Sequence, residues 1–290
     1  MPRRTDSPRL SEQSAGDDPS GHDLVTIADG DQHWAARATG HQGGRASATD
    51  VDAAIAAYQR AIAQYPNDLE PRWKLLRAIR FKGAYVASTN ADKKTVYDTG
   101  KRAGEETVAI IDRQLAAKGL RSVTKATEKD VADAARSIPG AAEVFQWDAA
   151  NWGEWALAYG KLAAVREGAA DRIRREATIA MLIDPNIEGG GPARVLGRLH
   201  DQTPHIPFLT GWASSRQAVK LLNDALHIDP TNKVTRVFLA EAMVNNNSDT
   251  KPQAVQMLRE LISSANNPEY EVEQAAAQDD ARALLKKWGA

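Results

Sequence analysis

Three segments of the sequence end in the same way, and this repeat limits the folds that the chain can adopt. The segments are AIAQYPND, AMLIDPNI and ALHIDPTN, which begin at Ala61, Ala180 and Ala225. In each, the first alanine stands five positions before a proline, and two further residues precede it by seven and three positions. Residues at this spacing share one helical face. The three sets are Ala54, Tyr58, Ala61 and Pro66; Ile173, Ala177, Ala180 and Pro185; and Ala218, Leu222, Ala225 and Pro230.

The pattern predicts a helix that packs closely on a neighbour and then ends. Small residues let a second helix approach, the bulky residue fills the groove between helices, and proline stops the helix. This arrangement resembles the second helix of a tetratricopeptide (TPR) repeat. Trp73 and Leu76 resemble the first helix of such a repeat, one position out of register. The prolines are unevenly spaced rather than about 34 residues apart, so helical insertions are expected between the units.

The rest of the chain also favours helix. Alternating β-branched runs are nearly absent, and the one short strand candidate, 122–127, is interpreted as a loop. The segment 1–22 is predicted to be a disordered tail, and 23–290 a single TPR-like helical domain. The predicted fold is all-α: a TPR-like α-solenoid of stacked antiparallel helix pairs with a C-terminal capping helix. The predicted helices are 24–38, 50–65, 69–83, 91–118, 128–136, 140–164, 168–183, 192–201, 214–228, 231–246, 250–264 and 269–288.

Helix ends carry signals of their own. Thr49 or Asp50 is predicted to cap one helix, and Ser214 or Ser215 is predicted to cap another. The last helix is predicted to close the stack, because it carries one apolar stripe while its charged residues face water. The stripe consists of Ala277, Ala281, Leu284 and Trp288.

Composition excludes several classes of function. There is no cysteine, which excludes disulfides, thiolate metal sites and a cysteine nucleophile. The 37 basic and 38 acidic residues give a formal charge of −1, so no nucleic-acid partner is predicted. No apolar run of about 18 residues predicts a membrane-spanning helix. The six histidines lack metal-ligand spacing, and no catalytic constellation is found, so we expect a non-enzymatic protein without a metal or cofactor.

A longer stretch has a more specific resemblance. The segments AANWGEWALAYGKLAAV and EGGGPARVLGRLHDQTPHIPF, followed by a repeat unit, resemble TPR-like proteins related to the T component of tripartite ATP-independent periplasmic (TRAP) transporters. The resemblance is strongest over 140–245. It implies an all-helical, non-enzymatic periplasmic protein that associates with a substrate-binding protein. As written, the chain has no apolar leader, which predicts the cytoplasm; periplasmic placement is expected if a leader has been removed.

The glycine-rich turn 189–191 allows two interpretations. It could bind an anion, because the helix after Pro192 directs N–H groups toward the turn and Arg194 and Arg198 add positive charge. Alternatively, it is a tight turn between helices whose arginines are solvated or paired internally. The second interpretation predicts that Arg194 or Arg198 pairs with Glu241, which lies in a nearly all-apolar helix and needs a partner if buried.

An aromatic helix provides the second candidate site. Trp152, Trp155 and Tyr159 share one helical face, and Trp147 lies just upstream. They could wall an apolar ligand cavity, with Asn151 and the indole N–H groups as polar contacts. The alternative is that these rings pack in the core between helices.

The third candidate is the concave surface expected of stacked helix pairs, which suits a peptide or a partner protein. Trp73, Arg77, Arg80 and Tyr85 are predicted to line it. The predicted function is a non-enzymatic scaffold for protein–protein interaction within a larger assembly, and self-association is a further expectation. The alternative is a TRAP-transporter accessory that binds a small apolar or organic-acid ligand in an aromatic-lined cavity.

Overall fold

Helices dominate every part of the chain that the structure describes. The computed structural model describes residues 20–120, 122–123, 125–206 and 210–290, with side chains from residue 27 onward. Within these ranges there are thirteen α-helices and no β-strand, so the all-α class is confirmed. Most of the tail predicted over 1–22 lies outside the described residues.

The helices follow the predicted order along the chain. A short π-helical segment follows α3, and one 3₁₀ segment precedes each of α12 and α13. The helices are α1, Ser20–Ala35; α2, Ala48–Gln64; α3, Glu70–Phe81; α4, Asn90–Ala117; α5, Glu128–Ala135; α6, Ala141–Tyr159; α7, Lys161–Arg166; α8, Ala169–Ile183; α9, Ile187–Gln202; α10, Ser215–Ile228; α11, Lys233–Asn246; α12, Lys251–Ser263; and α13, Glu271–Trp288.

Two predicted helices differ from those observed. The segment 140–164 is divided into α6 and α7, because Gly160 has φ 87° and ψ 168°, a conformation that side chains with a Cβ avoid. The helix predicted over 192–201 is preceded by a left-handed turn at residues 188–190, so α9 includes that turn and its regular helical backbone starts only after Gly190. In both places, a glycine backbone sets the path of the chain.

One of the two predicted helix caps is confirmed. Ser214 caps α10, since its side chain accepts a hydrogen bond from the Gln217 N–H. The cap predicted at Thr49 or Asp50 is wrong, because both residues lie inside α2. Ser47 takes the extended conformation that a cap position requires, and it accepts from the Thr49 N–H.

The repeated pattern has the packing role that its spacing predicts. Every residue of the three helical sets is buried, and each proline follows a helix end directly. The bulky members fill space left by glycines: Tyr58 lies against Gly30 of α1, and Leu222 lies against Gly197 of α9. A Cβ at either glycine would overlap the facing side chain, so these glycines allow the close approach of the helices.

The helices pack in a regular order. Helices α3, α6, α9, α11 and α13 form a row in which each packs against the next. Helices α2, α4, α8, α10 and α12 each pack against the row helix that follows them in the chain. Most helices of the row therefore have neighbours both along the row and beside it, and their remaining side carries the polar residues described below.

The last helix closes the row and also meets the beginning of the chain. Its predicted stripe is confirmed: Ala277 and Ala281 are buried, and Leu284 and Trp288 are half-buried in a cluster with α11 and α12. At its other end, Val272 packs with Phe81 and Tyr85, and Ala276 lies against Gly44. The helix α13 thus joins the two ends of the described chain.

Candidate functional site

The row helices direct charged and aromatic side chains to one side, which we call the inner charged face. At its centre, Arg80 of α3 pairs with Glu154 of α6 at 2.5 Å, and each side chain keeps 23% of its surface accessible. Arg80 also donates to the Tyr85 hydroxyl at 3.2 Å. The face consists of Arg77, Arg80, Tyr85, Glu154, Glu188, Arg194, Arg198 and Glu241.

The surroundings of Arg80 keep it charged. Burial alone lowers the pKa of its guanidinium, but the neighbouring Tyr85, Glu154 and Tyr97 outweigh that effect and raise the pKa well above its ordinary value. The Tyr97 hydroxyl donates to the second carboxylate oxygen of Glu154 at 3.4 Å. Burial raises the pKa of Tyr97 and Tyr85 as well, so both remain neutral hydrogen-bonding groups beside the ion pair.

Arg77 is held between two indole rings. Its guanidinium carbon lies 4.3 Å from the ring centre of Trp34 and 5.0 Å from that of Trp73. Such stacking fixes the plane of the guanidinium and leaves its edge to donate hydrogen bonds. The carboxylate of Glu188 is 3.9 Å away, and the buried Nε finds no partner among the described residues. Arg77 also lies close enough to the Tyr58 hydroxyl to donate to it, so it is oriented by two rings and a hydroxyl, and of its buried nitrogens only Nε lacks a partner in the described part of the chain.

Arg194 holds the glycine-rich turn from inside. Its two terminal nitrogens donate to the carbonyls of Glu188 and Gly189, and one of them also donates to the Thr235 hydroxyl. Burial lowers the pKa of Arg194, against the opposing effect of the Glu188 carboxylate. Its donors serve the turn itself, which favours the tight-turn interpretation over an anion site there.

Arg198 forms the ion pair that the sequence predicts. Its Nη1 lies 2.6 Å from Glu241 and 3.3 Å from Asp201, so this pairing is confirmed. The pair joins α9 to α11 in the same way that Arg80 and Glu154 join α3 to α6. Two pairs of neighbouring row helices, α3 with α6 and α9 with α11, are thus linked by charges of opposite sign.

The aromatic face of α6 points away from the inner charged face into the core. Trp152 and Trp155 are 2% and 5% exposed and pack with helices α8 and α9. Trp155 and Tyr159 stack at 4.6 Å, and both donate to Asp98 of α4. These contacts favour the interpretation that the rings are packed in the core.

The remaining two candidates on α6 bind its own neighbours. Asn151 is fully buried, and its amide donates to the carbonyls of Leu76 and Trp147 at 3.0 and 2.8 Å. It therefore joins α6 to α3. The half-buried Trp147 has an indole N–H without a partner among the described residues. The structure brings Arg77, Tyr85 and the two α9 arginines to one face, separate from these α6 side chains.

A buried acidic pair was missed at the sequence level. Asp148 of α6 is fully buried and Glu176 of α8 is 5% exposed, with Arg172 at 2.7 Å from Asp148 and 3.0 Å from Glu176. Burial, followed by the charge of Asp148, raises the pKa of Glu176 well above its ordinary value. Burial also raises the pKa of Asp148. The sequence signal was the position of Asp148 among the apolar residues of α6.

Comparison with known proteins gives no family for the chain. The sequence matches no protein-family model, and no curated protein matches it significantly. The fold and the inner charged face therefore define its class: an all-helical protein whose neighbouring helices pack in series. In the described ranges, no helix has the length and apolarity needed to cross a membrane, and no three His, Asp or Glu side chains could hold a metal ion together.

Proposed function

We propose that the protein is a non-enzymatic TPR-like α-solenoid that binds another protein through its inner charged face. The serial packing of the row helices supports the solenoid. A second repeat supports it too: six residues after Pro66 and after Pro230, Arg72 and Arg236 donate back to the proline carbonyl, each at 2.8 Å. The same side-chain-to-backbone contact thus recurs in two of the three units.

Arg77 is the observation that carries the proposed binding role. A guanidinium held between two rings is already in one conformation, so binding a carboxylate would cost little further side-chain entropy. Its nearest carboxylate is 3.9 Å away, beyond hydrogen-bonding distance. We therefore propose that the partner supplies a carboxylate to Arg77, in an acidic peptide segment that runs along the row. The aromatic helix is not the proposed surface, because Trp152 and Trp155 pack in the core.

The test compares partner capture by matched arginine variants. The full chain is immobilised, incubated with an extract of its source cells, and the captured proteins are quantified by mass spectrometry. Arg77→Met keeps the stacked volume but removes the donors, so capture of the specific partner should fall at least about tenfold, or about 1.4 kcal/mol. Arg60→Met changes an exposed arginine of α2 that pairs with Asp29, and it should leave capture unchanged.

A lysine variant separates charge from geometry. Arg77→Lys keeps the positive charge but lacks the planar fork, so its capture should fall between those of the wild type and Arg77→Met. Circular dichroism melting curves establish that all variants are folded. Equal capture by the wild type and Arg77→Met, or equal loss in the Arg60 control, would exclude Arg77 as the contact.

A further inference from the structure

A cavity lies away from the inner charged face, between the start of α11 and the loop that joins α12 to α13. It is partly open to solvent and has a volume of about 330 Å³, at the lower end of the range of small-molecule sites. Two of its lining residues are cations and none is a carboxylate. The lining residues are Thr231, Lys233, Arg236, Ser264, Ala265, Asn266, Asn267 and Gln274.

Lys233 is a buried cation without a direct counter-charge. Only 3% of the residue is exposed, and its ammonium donates at 2.7 Å to the Ser264 carbonyl and to the Asn266 side-chain oxygen. Both acceptors are neutral, and no described carboxylate lies within 4.0 Å of it. An ammonium has three donors, so one remains for another partner. Burying a charge in this way is unfavourable unless an anion is close.

The surroundings of Lys233 also disfavour its positive charge. Burial lowers the pKa of Lys233; Glu271 opposes the effect, and the positive charge of Arg236 adds to it. Arg236 uses one terminal nitrogen on the Pro230 carbonyl and forms no ion pair with a described residue. The first turn of α11 also begins here, and the partial positive charge of a helix start favours an anion.

The equivalent position in the first repeat unit provides a contrast. Arg72 also donates to a proline carbonyl and also lines a cavity, of about 410 Å³. That cavity, however, includes Glu106 in its lining, and the charge of Glu106 acts on Arg72. The two units therefore share the contact between arginine and proline, but only the cavity beside α11 lacks a lining carboxylate.

We infer that the cavity beside α11 binds a small anionic molecule that also carries hydroxyl groups, with its oxyanion between Lys233 and Arg236. A bare oxyanion is smaller than 330 Å³. Apart from Ala265, the remaining lining consists of hydroxyl and amide side chains, each of which already forms a hydrogen bond within the protein. Amide and hydroxyl groups can form more than one hydrogen bond, so the unused donors and acceptors suit the hydroxyls of a sugar phosphate or sugar acid. This site does not depend on the proposed partner-binding role of Arg77.

The test is a binding titration of the full chain with defined probes. Inorganic phosphate, glucose 6-phosphate, gluconate and uncharged glucose are each titrated at constant ionic strength, by calorimetry and by melting temperature. A sugar phosphate or sugar acid should bind saturably and raise the melting temperature, because ligand that binds only the folded state stabilises it. It should bind at least about tenfold more tightly than phosphate, and glucose should not bind. Comparing glucose 6-phosphate with gluconate identifies the preferred oxyanion.

Variants connect any binding to this cavity. Arg236→Gln removes a half-buried charge and should weaken binding of the preferred probe at least about tenfold. Lys233→Met removes the unneutralised charge, so it should abolish binding while the unliganded protein remains folded. Lys220→Met removes an exposed lysine of α10 that pairs with Asp224, and binding should be unchanged. The inference is overturned if no probe binds above the sodium chloride control, or if Arg236→Gln binds as tightly as the wild type.

Discussion

At the scale of single residues, the buried pair Asp148 and Glu176 determines how stability should depend on pH. The folded state raises the pKa of Glu176 above the 4.5 of an unperturbed glutamate, mainly through burial. Between these two values the folded protein holds a proton that the unfolded chain has released. The free energy of unfolding therefore falls as pH rises from about 4.5 through the folded pKa. The positive charge of Arg172 lowers the pKa of Glu176, but this effect is smaller than those of burial and of Asp148.

Glu176→Gln tests this assignment. Glutamine keeps a neutral donor beside Asp148 but cannot ionise, so the variant should lose the fall in stability with rising pH. At pH 8 it should be more stable than the wild type by at least about 1 kcal/mol, since each unit of pKa shift corresponds to about 1.4 kcal/mol. Urea unfolding at pH 5 and pH 8 measures both effects. Glu143→Gln, on the partly exposed start of α6, should show no such gain, and parallel pH profiles for wild type and Glu176→Gln would refute the assignment.

At the scale of helices, α4 and α6 approach closely because two glycines of α4 face polar side chains of α6. A Cβ at Gly104 would overlap the Asp148 carboxylate, and one at Gly100 would overlap the Asn151 amide. Gly153 of α6 has open space around the same position. Gly104→Ala should therefore destabilise the protein by about 1–3 kcal/mol through overpacking. Gly153→Ala should stabilise it by up to about 1 kcal/mol through helix propensity. Denaturant melts compare the two variants. If Gly104→Ala were as stable as the wild type, or if both variants lost the same amount of stability, the close-packing account would be contradicted.

The helices also show which features a sequence can predict. Periodicity and proline positions predicted helix order and the buried faces of α2, α8 and α10, because these depend on residues within one helix. The break at Gly160 could not be predicted, because glycine is also tolerated inside helices, as Gly153 is. Arg198 and Glu241 were paired correctly, since a carboxylate in an apolar helix requires a counter-charge. Asp148 and Glu176 were missed because their proximity depends on how α6 packs on α8.

At the scale of the whole molecule, Arg37 joins the two ends of the described chain. It is 5% exposed, pairs with Glu273 at 3.0 Å, and donates to the Glu269 carbonyl of the segment before α13. Its guanidinium also lies 4.5 Å from the ring centre of Trp34, whose ring centre lies 4.3 Å from the guanidinium carbon of Arg77. Arg37, which connects the two ends, and Arg77, the proposed binding residue, thus contact the same Trp34 ring. The inner charged face should therefore depend on the contact between Arg37 and Glu273.

Arg37→Met tests whether the contact between Arg37 and Glu273 stabilises the whole molecule. Removing one partner of a buried ion pair leaves Glu273 unneutralised, so the free energy of unfolding should fall by about 2–4 kcal/mol. Urea unfolding followed by tryptophan fluorescence measures the loss, and hydrogen exchange should show faster opening of both α1 and α13. Arg282→Met removes an exposed pair within α13 and should change stability by less than about 0.5 kcal/mol. If exchange in α1 were unchanged by Arg37→Met, the two ends would open independently, and the contact would be local to α13.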